Sequence, residues 1–460
     1  MHPLLADDLA SLPDLLETTR GVAERALAGL DTRPVVGDPQ APPADPLPRE
    51  GVGLAGALAR FTRRWEPGFS ASAGPRYLGF VTGGATPAAV AGDWLTSAYD
   101  QNAASGEDSS AAALERETVR WLAEIVGLGD RHVGSFVTGA TMSTFVGLAI
   151  AREWLGERLG VPVAEAGVSA LGSVPVLSGT PHSSVYKALS MLGLGRRSVR
   201  LVPVPAGREA VDVDALGEAL AALDGRPAVV VANAGTVNTV DFDDLRAIAA
   251  LREHHPFWLH VDAAFGGLAG LSPAYASLLD GIAEADSVCV DLHKWLNVPY
   301  DAAVQFTRHR DLQTRVFQNT AAYLGELTDE PDFLHLTPEN SRRLRALPAW
   351  FSLTAYGADG HRDIVERNVA SARRLGERLA ALPGVRLLAP VRLNVVCFAP
   401  SGDPAAVVRA VAESGETFLT PTVYAGTPAL RVAFSNWRTD EADDDRIFEA
   451  LRAALAKAAA

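Results

Sequence analysis

Four polar features of this 460-residue sequence fall where an apolar run gives out, and each offers a chemistry. In VTGATMSTF (137–145) a Gly-Ala-Thr turn joins an apolar run to a helical pattern. Small residues let backbone N–H groups approach an anion there, and a helix start favours negative charge by about 0.3–1 kcal/mol. Helix capping by Thr141 or Ser143 is the plainer reading of that turn alone, and the Gly-Lys-Ser/Thr end of a nucleotide P-loop is missing. In SGTPHSSVYKAL, His182 precedes a helical pattern; an imidazole there can stack on a flat ligand, or serve only as a local hydrogen-bonding group. FWLHVDAAFGG ends a strongly apolar run on Asp262. A carboxylate at a buried strand end is costly without a donor or cation, and the small residues after it leave room for a planar ring. VDLHKWLNVPYD places Lys294 between an apolar run and Trp295, which predicts a partly desolvated amine with its pKa lowered toward that of a nucleophile.

Positioning these groups requires a sheet. From about residue 112 helical patterns alternate with short apolar runs, predicting strands at 134–139, 174–179, 198–204, 227–235, 257–264 and 287–293. Helices are predicted at LERETVRWLAEIVGL, MSTFVGLAIAREWLGERL and DVDALGEALAAL. Such alternation means an α/β fold with a mostly parallel sheet covered on both faces, whose ligands lie beyond the carboxyl ends of the strands. Asp262 and Lys294 are about one βαβ step apart, so both belong at that edge. A phosphate cradle, an imidazole, a carboxylate and a desolvated lysine at successive strand ends together fit pyridoxal 5'-phosphate: the turn for its phosphate, Asp262 for its pyridine nitrogen, Lys294 for a Schiff base.

The flanking segments are simpler. Residues 3–30 carry leucines near helical spacing, and six prolines between Pro34 and Pro48 make an extended linker, so residues 1–70 read as an arm. An arm this short cannot bury its own apolar face, which hints at a dimer. A large domain is expected over 71–330 and a smaller α+β domain over 331–460, with a long helix at 361–382 and strands near VRLLAP, NVVCFAP and ALRVAFSN. The formal net charge of −14 argues against nucleic acid or an anionic membrane as the main partner. Cys289 and Cys397 form neither a disulfide framework nor a zinc spacing, and no metal site is expected. The acidic Asp7 and Asp8, with no long apolar stretch, predict a cytoplasmic protein that is neither exported nor inserted in a membrane.

From PRYLGFVTGGATP (75–87) to the C-terminus the chain resembles the group II pyridoxal phosphate-dependent amino-acid decarboxylases, the family of aromatic-L-amino-acid decarboxylase. The motifs that carry the resemblance are LHVDAAFGG, DLHKWL and SRRLRALPAWFSLTAYG. It implies the aspartate aminotransferase fold, fold type I, and a homodimer with its sites at the subunit interface. It implies phosphate contacts at Ala140 and Thr141, His182 stacked on the cofactor ring, Asp262 on the pyridine nitrogen, Ala264 against the ring, His293 near the phosphate and Lys294 as the Schiff-base lysine. Substrate-pocket positions fall at Phe80, Val81 and Gln101 to Ala103.

Three positions depart from the family pattern. Leu292 precedes His293 where many members have proline, and Asn233 stands where a threonine is usual near the substrate. The mobile-loop tyrosine that protonates the product in the decarboxylases has no match; counting back from Arg342 and Arg343 reaches Phe333, or Asp332 with one gap. Phenylalanine at this place accompanies aldehyde synthases. The expected reaction is therefore decarboxylation of an L-amino acid or a derivative to an amine, with Tyr323, His335 or water delivering the proton. The alternative is an oxygen-dependent reaction giving aldehyde, ammonia and peroxide. A lyase or aldolase of the same fold, or a silent cofactor-binding subunit, are the remaining readings.

Overall fold

The apolar runs form two sheets. A computed structural model describes every residue except 38, 39, 41, 107, 320–326, 328, 329 and 460. The large sheet contains β1 (Val133–Val137), β2 (Val176–Ser178), β3 (Val199–Leu201), β4 (Ala228–Asn233), β5 (Phe257–Asp262), β6 (Ser287–Asp291) and β7 (Ala303–Thr307). Their spatial order is β1-β7-β6-β5-β4-β2-β3, with β7 antiparallel to both neighbours and β2 to β6 mutually parallel. β4, β5 and β6 are buried along their whole length, as strands covered on both faces must be.

Three differences from the sequence reading have physical causes. β7 joins as an antiparallel strand that helical alternation does not announce. β3 is shorter than its apolar run because it sits at the sheet edge, and Pro203 and Pro205 remove ladder donors beyond it. The long C-terminal helix starts earlier than expected, spanning Ala346–Ala380, with a non-helical break at Gly357 (φ 60°) that only glycine adopts without strain. Leu347 and Leu353 of its first half join the core of the large sheet, whereas Leu375 and Leu379 of its second half pack against the small sheet.

That small sheet is antiparallel. It holds β8 (Val385–Leu387), β9 (Val395–Pro400), β10 (Thr420–Tyr424) and β11 (Thr427–Ala433) in the order β10-β11-β9-β8. The arm forms the helices Pro3–Ala10 and Leu12–Ala28, and neither buries a residue. No helix among the described residues is long and apolar enough to cross a membrane.

Candidate functional site

The helix Ala140–Leu159 starts directly behind β1, and its N-cap residue, Gly139, has no side chain to cap it. Ser143, the plain capping candidate, instead donates its hydroxyl to the Val304 carbonyl at 3.1 Å. No side chain caps the first turn, so the amides at Ala140 and Thr141 lie at a helix start left open for an anion. The nearest atom to a Cβ built on Gly139 is His293 Cε1 at 3.8 Å, so the imidazole borders the same space.

β5 ends on Asp262, which pairs in register with Asn233 of β4 and Cys289 of β6. The Asp262 side chain is 8% exposed, and its Oδ1 accepts the Ala264 amide at 3.1 Å. Among the described residues no cation pairs with it within 4 Å. A buried carboxylate with one backbone donor suits a cationic partner from outside the chain. Ala264, also buried, keeps the ground beside it low.

β6 turns at Asp291 into the short helix Leu292–Trp295, which carries His293 and Lys294. Buried Asp291 lies beneath both: Oδ2 is 3.4 Å from Lys294 Nζ and Oδ1 is 3.1 Å from His293 Nδ1. The Lys294 side chain is 17% exposed, and its ammonium stands 5.7 Å from the Phe265 ring centroid. The other two lysines of the chain, Lys187 and Lys457, are exposed on helices.

His182 is the N-cap of the helix Ser183–Met191; its Nδ1 accepts the Ser184 amide at 3.3 Å and lies 2.9 Å from the Ser184 hydroxyl. His182 is thus a local hydrogen-bonding group, as its position before a helix suggests, and this does not compete with a ligand role, because the residue remains exposed. Desolvation by neighbouring groups lowers its pKa, opposed by the Asp262 charge and reinforced by those of Lys294 and Arg431. The Asp262, Lys294 and Arg431 charges all act on His182, so the four side chains stand near one another. Burial also lowers the His293 pKa.

The substrate-pocket expectations divide. Phe80 is exposed and its ring centroid is 6.1 Å from that of Phe418, whereas Val81 is buried within the large core. Both residues take left-handed backbone (φ 59° and 57°), strained for the β-branched Val81. Asn102 accepts the Arg342 amide at 2.8 Å, Gln101 donates to the Tyr99 carbonyl, and Ala103 is buried. Asn233 holds Asp243, whose Oδ2 accepts its amide at 2.6 Å.

Phe333 does not join Lys294 within the chain. It is 2% exposed, packed on Ala112 and Leu336, with the guanidinium carbons of Arg342 and Arg116 at 4.7 and 5.3 Å from its ring centroid. Cation–π packing holds the Phe333 ring in place within this chain. His335 is buried too and accepts the Asn319 amide at 3.1 Å. Tyr323 lies outside the described residues.

Residues 59–400 match the model of the pyridoxal-dependent decarboxylase conserved domain. The chain belongs to the pyridoxal-dependent decarboxylase family. Among its relatives is the L-2,4-diaminobutyrate decarboxylase of Acinetobacter baumannii, 30% identical over 335 residues, covering 67% of this chain and 64% of that protein. The aromatic-L-amino-acid decarboxylase of Bacillus atrophaeus is 28% identical over 332 residues, 70% of this chain and 67% of that one. The chain thus spans about two thirds of these two bacterial relatives' length. In fold it is similar to Oryza sativa TDC with PLP and tryptamine (TM-score 0.88, 23% identity, 99% of both chains). It is also similar to mouse CSAD (TM-score 0.87, 22% identity, 97% of this chain and 99% of that one).

Pyridoxal 5'-phosphate is the cofactor of this family, and the donor set fits it. The uncapped helix start suits its phosphate, the unpaired Asp262 its pyridinium nitrogen, and the open His182 ring its flat face. Three polar residues around the site have no counterpart in the sequence reading. Asp291 sat unremarked inside the quoted stretch. Tyr300 lies 4.4 Å from His293 between ring centroids and bonds Thr82 through its hydroxyl at 3.1 Å. Arg431 of β11 donates to the Val237 carbonyl at 2.9 Å and comes from the small sheet, so no local pattern announces it.

Proposed function

We propose that this family member removes the carboxyl group of an L-amino acid as carbon dioxide and releases the amine. The observation that carries the reading is the convergence of Lys294, Asp262, His182 and an uncapped helix start at one sheet edge. Bound there, pyridoxal phosphate supplies an aldehyde that a lysine amine can condense with and a ring that takes up the electron pair left by carbon dioxide. Ala140, Thr141 and His293 would hold its phosphate, and Asn233 and Ala264 would border its ring. Asp262 would keep the proton on the pyridine nitrogen, and His182 would cover one ring face. Lys294 is the amine that attaches the cofactor and yields its place to the substrate amine.

Phe80 would stand at the substrate's side chain, where its exposed ring favours partly apolar substrates. The aldehyde-forming alternative, which the missing loop tyrosine motivates, is the less favoured reading; Phe333 itself packs between two arginines. We place the protein in a reducing cytoplasm, in keeping with two free, buried cysteines. It would act there as a homodimer, its arm covered by a second copy: Leu5, Leu9, Leu12 and Leu16 are exposed large apolar residues on helices that bury nothing.

The test is a panel of L-amino acids offered to the cofactor-loaded protein under air and under nitrogen, with products identified by mass. Amine and carbon dioxide in equal amounts under both gases are expected. Peroxide and aldehyde appearing only in air would replace this reading with the oxidative one, and no carbon dioxide from any amino acid would end both.

A further inference from the structure

Trp258, His260 and Asp262 alternate along β5 and so share one face of the sheet. The helix Ala140–Leu159 covers that face, since a Cβ on Gly147 would stand 2.9 Å from His260 Nδ1 and 3.0 Å from Ser287 Oγ. His260 is fully buried, as is the Ser287 it meets. The Ser287 hydroxyl lies 2.9 Å from Trp258 Nε1 and 2.8 Å from His260 Nδ1. The indole nitrogen can only donate, so Ser287 accepts from it, and among the described residues His260 Nδ1 is the acceptor within reach of the Ser287 proton. The single proton of the neutral imidazole then sits on Nε2. Burial holds the ring neutral, its pKa pushed down to about 4, and the opposing pull comes from the Asp262 carboxylate.

His260 Nε2 is buried without a hydrogen-bond partner, and so is the hydroxyl of Thr144. Thr144 lies one turn before Gly147 on the same helix face, toward the strand end where Asp262 stands. Two orphaned polar atoms on the facing helix and strand call for an explanation, and a shared charged acceptor is one.

We propose that His260 is a positioning residue for cofactor binding: with Thr144 it supports the Asp262 carboxylate from behind through one water, and aims it at the pyridine nitrogen. The inference rests on the functional reading above and adds to it a second layer of residues, in which Trp258 and Ser287 set the tautomer of His260 and His260 sets Asp262.

The test titrates apo-protein with pyridoxal 5'-phosphate, following the visible absorbance of the bound cofactor, and records the melting temperature of each apo variant. His260→Asn keeps a polar group near Ser287 but removes the donor at the Nε2 position. His260→Gln returns an N–H close to that position, and Thr144→Val keeps the shape of the threonine without its hydroxyl. Loss of a hydrogen bond to a charged group predicts Kd raised about tenfold in H260N and T144V, with H260Q recovering most of the affinity. The apo melting temperature of T144V should stay near that of wild type, because its hydroxyl has no partner in the apo core, whereas H260N also opens space in the core and is read against H260Q. T144V carries the test should H260N not fold. Wild-type binding with unchanged Kd in H260N and T144V overturns the inference alone, as does a loss of affinity that H260Q shares in full. A wild-type protein that binds no cofactor overturns the functional reading itself.

Discussion

Asp291 stands beneath Lys294, its Oδ2 3.4 Å from Nζ, while its other oxygen lies 3.1 Å from His293 Nδ1. One buried carboxylate therefore faces both the amine and the imidazole that border the cofactor space. Replacing it with asparagine keeps the shape and removes the charge. Asp291→Asn is expected to lower kcat/KM about tenfold, the loss of one charge-assisted contact. Its thermal stability should fall, since the half-buried Lys294 ammonium loses the carboxylate it faces. Steady-state kinetics and a melting curve check both halves; an unchanged kcat/KM would remove Asp291 from the site.

The arginine run that contributes to the family resemblance has a structural use. Arg342 and Glu115 are both fully buried and meet at 2.8 Å, and Arg342 also donates to the Ala103 and Phe136 carbonyls. The pair ties the 102–104 segment to β1 and to the helix Ala111–Val126. Arg342→Met leaves Glu115 buried without its cation and should cost about 3–5 kcal/mol, read by denaturant unfolding. A loss below about 1 kcal/mol would mean that Glu115 finds other support.

Asp243 accepts the Val211 and Asn233 amides at 2.6 Å each, yet burial pushes its pKa up to about 6. The unfolded value is near 3.8, so between these pH values the folded chain binds more protons than the unfolded one. Stability from this group is full below about pH 4 and is lost as pH rises through about 6, a swing of about 3 kcal/mol. The stability difference between wild type and Asp243→Asn, measured by denaturant unfolding from pH 4 to pH 7, should move against wild type across that window. A flat difference would show that Asp243 titrates normally.

The arm leucines make the dimer testable without touching the site. A Leu9→Asp, Leu16→Asp variant places charge on the exposed apolar stripe and should run at half the wild-type mass in light scattering. A monomeric wild type would contradict the proposal.

Much of the site was legible because its members stand at the ends of apolar runs. Asp262 and Lys294 each follow a strand too apolar to carry a polar residue idly, and His182 opens a helix after another. Asp291 was on the same line of text, but its importance depends on a strand-to-helix turn that lifts residues two and three positions later above it. Arg431 is brought in by the small sheet, and nothing near it in sequence marks it. Phe333 was reached by counting along the chain, which says nothing of the contacts with Arg116 and Arg342 that set its ring. β7 and β10 escaped because Gln305 breaks one apolar run and Pro421 the other.

The account turns on which amine holds the cofactor. The chain offers three lysines, Lys187, Lys294 and Lys457, and of these only Lys294 is shielded from solvent. Borohydride reduction of the loaded protein, followed by digestion and mass spectrometry, locates the attached pyridoxyl group. The account predicts it on Lys294 alone, with Lys294→Ala protein carrying none; a label on Lys187 or Lys457, or none at all, would contradict it.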